Sequence, residues 1–282
     1  MKWMSAVLLV FYSTLSLAAV VSKEIPYYPK SFYEQLNHGL QGDELKKQLF
    51  QVLSQPHAER DGEHDTLGCG GGNRCSQHSS VGYKNARKII FGEIHLEDTP
   101  EGYGIFDVYC QVMLTEKDFK GGAPGPGKIP NNNILNVEHT WPQSRFNGRF
   151  NNDMQKSDLH HLFPTASHAN SVRGNFPFSD VSSVKQTPCA GAILGRGQTG
   201  QGTYFFEPPT AQKGNTARAI FYFSTRYQIA VSAEEEASLK AWHQLDPVDE
   251  AESQRNEVIF SKQKVRNPFI DHPELVELIS DY

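Results

Sequence analysis

Residues 136–144 read NVEHTWPQS, residues 157–164 read SDLHHLFP, and residues 170–176 read NSVRGNF. The stretch that they span, residues 136–176, gathers carboxylates, four of the eleven histidines of the chain, and an Asn and an Arg that lie three residues apart. Carboxylate and carboxamide oxygens suit a hard cation such as Mg²⁺, a neutral imidazole suits proton abstraction, and a guanidinium suits a phosphate. Together these groups indicate metal-assisted cleavage of a phosphodiester.

The flanking residues predict how these segments fold. Residues 134–138 read as a strand that ends near His139, because Pro142 cannot continue a ladder of backbone hydrogen bonds. Thr165 can cap a helix over residues 166–173. The histidine, the carboxylate before it and the helix therefore lie where a strand stops and a helix follows.

Elsewhere the pattern predicts mainly helices. Residues 104–114 read as one strand, which would pair antiparallel with 134–138. The predicted helices cover residues 31–55 (as one or two helices), 216–227, 232–245 and 246–266, and irregular loops cover 58–80, 147–155 and 188–209. The predicted class is α+β, a mainly helical domain around a small antiparallel β pair.

The first residues read as a cleavable export signal. Lys2 precedes an apolar run over residues 6–17 that is too short to span a membrane, and the small residues up to Ala18 favour cleavage after it. No later stretch approaches ~18 apolar residues, so we expect a secreted or periplasmic protein without a membrane partner. The predicted division is a signal peptide (1–18), N-terminal helices with a cysteine-containing loop (19–79), and a domain that carries the site (80–282).

The four cysteines are Cys69, Cys75, Cys110 and Cys189. An even number in an exported chain favours two disulfides, and three pairings are open. Cys69 and Cys75 could close a small loop on themselves. A zinc site is the alternative, but the spacing is not CxxC and the other two cysteines lie far away in the sequence.

The charge of the chain leaves its partner open. The formal net charge is −5, whereas nucleic-acid-binding proteins are usually basic. An enzyme needs only a local basic cleft and a metal, so an acidic total does not exclude a nucleic-acid substrate.

Each pattern also has a structural interpretation. Glu138 and His139 could be a solvent-exposed pair at a strand end, and Asp158 with His160 reads better as a buried hydrogen-bonded pair than as a metal site. Asn170 and Arg173 share a helix face, which could be no more than the polar end of that helix. Only the combination of the segments favours a catalytic site.

That combination resembles the endonuclease I family of exported, non-specific bacterial nucleases with a ββα-metal (His-Me finger) site. The resemblance rests on the three segments quoted above, on the order in which they occur, and on the later segments ARAIFYF (217–223), LKAWH (239–243) and RNPF (266–269). It covers about residues 80–272 and leaves residues 19–79 unexplained.

The resemblance implies a role for three residues. His139 matches the general base that activates water, and Glu138 and Asn170 match the ligands of one catalytic Mg²⁺, for which Mn²⁺ or Ca²⁺ could substitute. Lys156 departs from the family, because some members carry a carboxylate at that position, and we assign it no role.

Other residues match less directly. The family's transition-state arginine lies in the loop after the base, where Arg145 and Arg149 both qualify. Asp158, His160 and Arg173 match positions that support the site or contact phosphate.

The resemblance thus implies a monomeric, Mg²⁺-dependent endonuclease that hydrolyses DNA, with RNA open as a second substrate, and leaves 5′-phosphates. One alternative is a zinc-dependent hydrolase of another substrate, built from His160, His161 and His168. Another is a non-catalytic extracellular module that binds nucleic acid.

Overall fold

The structure, a computed structural model, describes residues 20–70, 74–198 and 202–282. The predicted signal peptide lies outside these residues. The helices are α1 (Lys30–Asn37), α2 (Gly42–Ser54), α3 (Tyr83–Ile89), α4 (Asn152–Ser157), α5 (Ser167–Arg173), α6 (Thr210–Tyr227), α7 (Ala233–Leu245), α8 (Glu250–Gln263), α9 (Pro268–Asp271) and α10 (Leu275–Leu278). The strands are β1 (His57–Glu59), β2 (Thr66–Leu67), β3 (Arg74–Ser76), β4 (Leu96–Thr99), β5 (Gly102–Asp107), β6 (Val112–Thr115), β7 (Leu135–His139), β8 (Leu162–Ala166), β9 (Ser183–Cys189), β10 (Ala192–Arg196) and β11 (Tyr204–Glu207).

The α+β class is confirmed, but the single β pair is wrong. Within the described ranges the strands form four small antiparallel sheets, with orders β2-β1-β3, β4-β5-β6, β7-β8 and β11-β10-β9. The loops predicted at 58–80 and 188–209 therefore contain five short strands, β1 (except its first residue), β2, β3, β10 and β11, and the end of β9. Short strands between Gly and Pro residues carry too little alternation to be recognised in a sequence.

The strand predicted over residues 104–114 is a hairpin, and its neighbours are not those expected. Asp107 ends β5 and accepts the backbone N–H groups of Tyr109 and Cys110 at 3.0 and 3.1 Å, and Gln111 has a φ of 56°. This turn reverses the chain, so that β5 pairs with β4 and β6, while β7 pairs with β8. The apolar residues on both sides of Asp107 and Gln111 concealed the turn in the sequence pattern.

The cysteines form the two predicted disulfides. Cys69 is bonded to Cys75, and Cys110 is bonded to Cys189, which settles the pairing and excludes the zinc alternative for these residues. The second disulfide ties the turn after β5 to the end of β9.

The core is built around α6. Most of this helix is buried, and α7 and α2 pack against it. Leu45, Leu49 and Leu53, spaced by four on α2, belong to the same hydrophobic cluster as the aromatic residues of α6. Ser232 caps α7 and Trp242 is buried, as the sequence predicts. No helix in the described part of the chain has the length and apolar character that a bilayer crossing requires.

Candidate active site

A cleft of about 540 Å³ opens beside β7 and the helix α5. Antiparallel β7 and β8 are followed directly by α5, because β8 ends at Ala166 and the helix begins at Ser167. The cleft is lined by Glu138 and His139 from β7 and by Asn170 from α5. The structure therefore brings together the three residues to which the resemblance gives the base and the metal ligands.

His139 lines the cleft as a neutral imidazole whose ring is held by a hydrogen bond. Its Nε2 lies 3.1 Å from the carbonyl oxygen of Lys156, which can only accept, so Nε2 carries the proton. Nδ1 then keeps its lone pair, and the amide nitrogen of Gln143 lies 3.5 Å from it. Burial, together with the neighbouring His161, lowers the pKa of His139 to about 3. The side chain is therefore a base with a fixed tautomer at neutral pH.

The two carboxylate oxygens of Glu138 have different surroundings. Its Oε1 lies 3.1 Å from Nε of Arg173 and accepts the hydroxyl of Tyr109 at 3.1 Å. Its Oε2 accepts no hydrogen bond from the residues that the structure describes, and Glu138 lines the cleft. Burial raises the pKa of Glu138, while Arg173 and the Tyr109 hydroxyl act to lower it.

Asn170 presents its oxygen in the same way. Its amide nitrogen donates to Asn136 Oδ1 at 2.7 Å and to the carbonyl of Val137 at 3.1 Å. These two acceptors fix the orientation of the amide, and its Oδ1 has no hydrogen-bond donor in the described ranges. Two hard oxygen atoms, Glu138 Oε2 and Asn170 Oδ1, are thus left for a ligand.

This donor set fits a hard divalent cation. Mg²⁺ is commonly held by one or two protein oxygens and keeps several waters, and one carboxylate with one amide oxygen is such a set. The structure gives less support to the alternative of a zinc site built from His160, His161 and His168. Among the described residues no three His, Cys, Asp or Glu side chains are grouped to hold a metal. The Nε2 atoms of His160 and His161 bond the carbonyls of Val265 and Gln155, and His168 is exposed.

Arg173 lies behind Glu138 and away from solvent. The side chain is 1% exposed, and its two terminal nitrogens donate to the carbonyls of Thr140 at 2.6 Å and Gly174 at 3.0 Å. The guanidinium also lies 4.5 Å from the centre of the Phe178 ring. Of the two roles predicted for Arg173, this position favours support of the carboxylate over contact with phosphate.

Asp158 and His160 are also buried away from the cleft. Asp158 accepts hydrogen bonds from the hydroxyls of Tyr222 and Tyr227, at 2.9 and 2.8 Å, and from the side chain of Gln263 at 2.8 Å. Burial by itself would raise the pKa of Asp158, but the neighbouring His78, His160 and His161 and the hydrogen bond from Gln263 hold it below its usual range. The pair joins the segment before β8 to α6 and α8, as expected of a supporting role.

The two loop arginines do not line the cleft. Arg145 donates to the buried Glu235 at 3.1 Å and lies over the ring of Trp141. The side chain of Arg149 is exposed, and its backbone N–H bonds Asn147. Which of them would approach a bound substrate stays a prediction.

Two residues of the site escape sequence reasoning. Tyr109 reaches Glu138 from the turn after β5, 29 residues earlier in the chain. Tyr83 begins α3 and lines the cleft, with its ring centre 5.5 Å from that of His139. Neither lies in the quoted segments, and the sequence offers a signal only for Tyr83, which is the first residue of the basic helix α3.

The fold and the cleft define an α+β protein in which a β7–β8–α5 unit carries an imidazole, a carboxylate and an amide oxygen. The family model for Endonuclease I matches residues 43–274, so the chain belongs to this family and the resemblance is confirmed.

Three relatives illustrate the range of the family. The chain is 30% identical over 290 residues to an extracellular ribonuclease of Bacillus subtilis (strain 168), covering 95% of the chain and 83% of that protein. It is 34% identical over 187 residues to an extracellular ribonuclease of Bacillus amyloliquefaciens, covering 60% of each. It is 32% identical over 117 residues to an extracellular deoxyribonuclease of Aeromonas hydrophila, covering 41% of the chain and 49% of that protein.

Proposed function

We propose that this protein is an exported, Mg²⁺-dependent endonuclease that hydrolyses DNA and RNA without sequence preference. The observation that carries the proposal is the fixed tautomer of His139, which keeps the lone pair of Nδ1 and lines the same cleft as Glu138 and Asn170. The β7–β8–α5 unit supports assignment to the ββα-metal class of sites. The names of the relatives support an extracellular or periplasmic location and both types of nucleic acid.

The residues of the chain divide the reaction between them. His139 Nδ1 takes a proton from water, and the Lys156 carbonyl holds the ring by its Nε2–H and stabilises the imidazolium that forms. The hydroxide attacks phosphorus, the bond to the 3′ oxygen breaks, and the products carry 5′-phosphates. When bound by Glu138 and Asn170, Mg²⁺ supplies positive charge for the phosphate oxygens and the leaving oxygen.

The cleft also accounts for the breadth of the proposed substrate range. The groups assigned to chemistry address a phosphate and a water molecule, and phosphate contacts position a strand without reading its bases. The relatives named ribonuclease and deoxyribonuclease fit a site of this kind.

The test compares two histidine variants. His139→Ala should lower the rate of plasmid and RNA cleavage by about 10²- to 10⁴-fold, which is the usual contribution of a general base. His168→Ala is the matched control, because that histidine is exposed on α5. Circular dichroism melting would show that both variants fold. Full activity of His139→Ala would refute the mechanism.

Treatment with a chelator tests whether cleavage requires a divalent metal ion. Removal of divalent ions should abolish cleavage, and Mg²⁺ should restore it. Stoichiometric zinc in the purified protein, with activity that survives Glu138→Ala, would instead favour the zinc hydrolase. A failure of the wild-type protein to cleave either nucleic acid would favour the non-catalytic binding module.

A further inference from the structure

A basic ridge begins at the edge of the cleft. It consists of Lys84, Arg87 and Lys88 on α3 and Lys156 on α4, and this set is called the α3 ridge below. Residues four apart share a helix face, so Lys84 and Lys88 lie along one line of α3. The ridge is unexpected in a chain with a net charge of −5.

Tyr83 connects the ridge to the chemistry. Its ring lines the cleft beside His139, and the ammonium of Lys156 lies 4.6 Å from the ring centre. The guanidinium of Arg87 lies 6.0 Å from the same ring centre and donates to Asn132, which also lines the cleft. Two cations of the ridge thus lie beside the ring of Tyr83, which itself lies beside the proposed base.

The charges of the ridge are not neutralised by the protein. None of its four cations forms a salt bridge with a carboxylate in the part of the chain that the structure describes. On the adjoining elements, Glu93 is paired with Lys262, and Asp153 forms no ion pair with the ridge. The Nε of Arg87 is buried and has no hydrogen-bond acceptor among the described residues. Like charges four apart destabilise a helix, so this arrangement suits an anionic ligand better than it suits stability.

We propose that the α3 ridge binds the phosphates of a single polynucleotide strand beyond the scissile bond. This inference rests on the proposed function and names the form of the substrate, a strand several nucleotides long that is held by its backbone. A row of cations beside an aromatic ring at the mouth of a cleft is the arrangement that holds single strands without reading sequence. The ridge acts by positioning the strand, while the chemistry stays with the cleft.

The experiment measures binding without cleavage. A fluorescein-labelled 16-nucleotide oligothymidylate is titrated with the full chain in excess chelator, by anisotropy, at several salt concentrations. Lys84→Gln with Lys88→Gln is compared with Lys23→Gln with Lys30→Gln. All four lysines are exposed and form no salt bridge among the described residues, and Lys23 and Lys30 do not line the cleft. Both double variants make the same change in net charge.

The ridge variant should lose two phosphate contacts. On a plot of log affinity against log salt concentration, each contact to a single strand contributes a slope of about −0.7, so the slope should become shallower by about 1.4. At about 0.1 M salt this corresponds to roughly 25-fold weaker binding. The control variant should bind as the wild type does.

Two results would refute the proposed role of the ridge. One is an unchanged salt slope in the ridge variant, and the other is an equal loss of affinity in the control variant. These outcomes are separate from the fate of the proposed function. If the wild-type protein binds the oligonucleotide through the ridge but never cleaves it with Mg²⁺, the proposed nuclease activity is refuted and the proposed binding of a strand by the ridge is supported. If the wild-type protein cleaves nucleic acid and the ridge variant has an unchanged salt slope, only the proposed role of the ridge is refuted.

Discussion

The hydroxyl of Tyr109 should control the pH range over which Glu138 binds a metal. Tyr109→Phe removes the 3.1 Å hydrogen bond to Oε1 and leaves Arg173 as the remaining partner of that oxygen. A hydrogen bond to a charged group contributes about 1.5–3 kcal/mol. Because this hydrogen bond favours the ionised carboxylate, its loss should raise the pKa of Glu138 further.

The sign of the effect depends on pH. A metal needs the ionised carboxylate, so Mg²⁺ affinity falls as pH drops through the pKa of Glu138, which burial already places above its usual value. The variant should lose affinity at a higher pH than the wild type does, by about 10- to 100-fold where only the wild type is ionised. Above both pKa values the variant should bind equally well or more tightly, because its carboxylate is a stronger base.

Calorimetric titration with Mg²⁺ between about pH 5 and pH 8 measures this shift, and Tyr222→Phe is the matched control. Tyr222 is also fully buried, and its hydroxyl donates at 2.9 Å to Asp158 and not to Glu138. Its loss should reduce stability without moving the pH midpoint of metal binding. Superimposable pH curves for Tyr109→Phe and the wild type would refute the reasoning, and so would a uniform loss of affinity at all pH values.

Two further substitutions test the supporting residues. Asp158→Asn should lower the free energy of unfolding in urea by about 2–4 kcal/mol, because four charge-assisted hydrogen bonds become neutral. Its kcat should change only a few-fold, and a large loss of kcat at wild-type stability would contradict a supporting role. Arg173→Met should cost about 3–5 kcal/mol by the same measurement, because it leaves the buried Glu138 without its cation. An unchanged urea midpoint would show that the ion pair contributes nothing.

The sequence predicts the parts of the site that are local along the chain. Glu138 and His139 lie at a strand end that Pro142 marks, and Asn170 lies on the next helix with Arg173 one turn later. Each of these positions follows from a short-range rule about proline, capping or helix spacing. For the same reason the long helices α6 and α7 are predicted within a few residues, apart from the start of α6.

The side chains that surround these residues come from distant parts of the chain, and the sequence could not predict those contacts. The turn that carries Tyr109 depends on Asp107, whose carboxylate also accepts the hydroxyl of Thr165 on β8 at 2.8 Å. A contact between residues 58 positions apart leaves no periodic signal. The loop predicted over residues 188–209 is wrong for the same reason, because β9 to β11 form by pairing with one another and are tied to the turn after β5 by the Cys110–Cys189 disulfide.

The environment of Glu138 explains how a buried carboxylate can serve a metal site at all. A carboxylate with no partner in the interior would take up a proton, and one that was fully paired would have no oxygen left for a cation. Arg173 and Tyr109 both act on Oε1, which favours ionisation, and they leave Oε2 at the cleft. The two partners come from α5 and from the β5–β6 turn, so the sheets and the helix must assemble before Glu138 can act as a ligand. The charge of the site is therefore a property of the tertiary fold, although the residue that bears it is predicted from the combination of the three quoted segments.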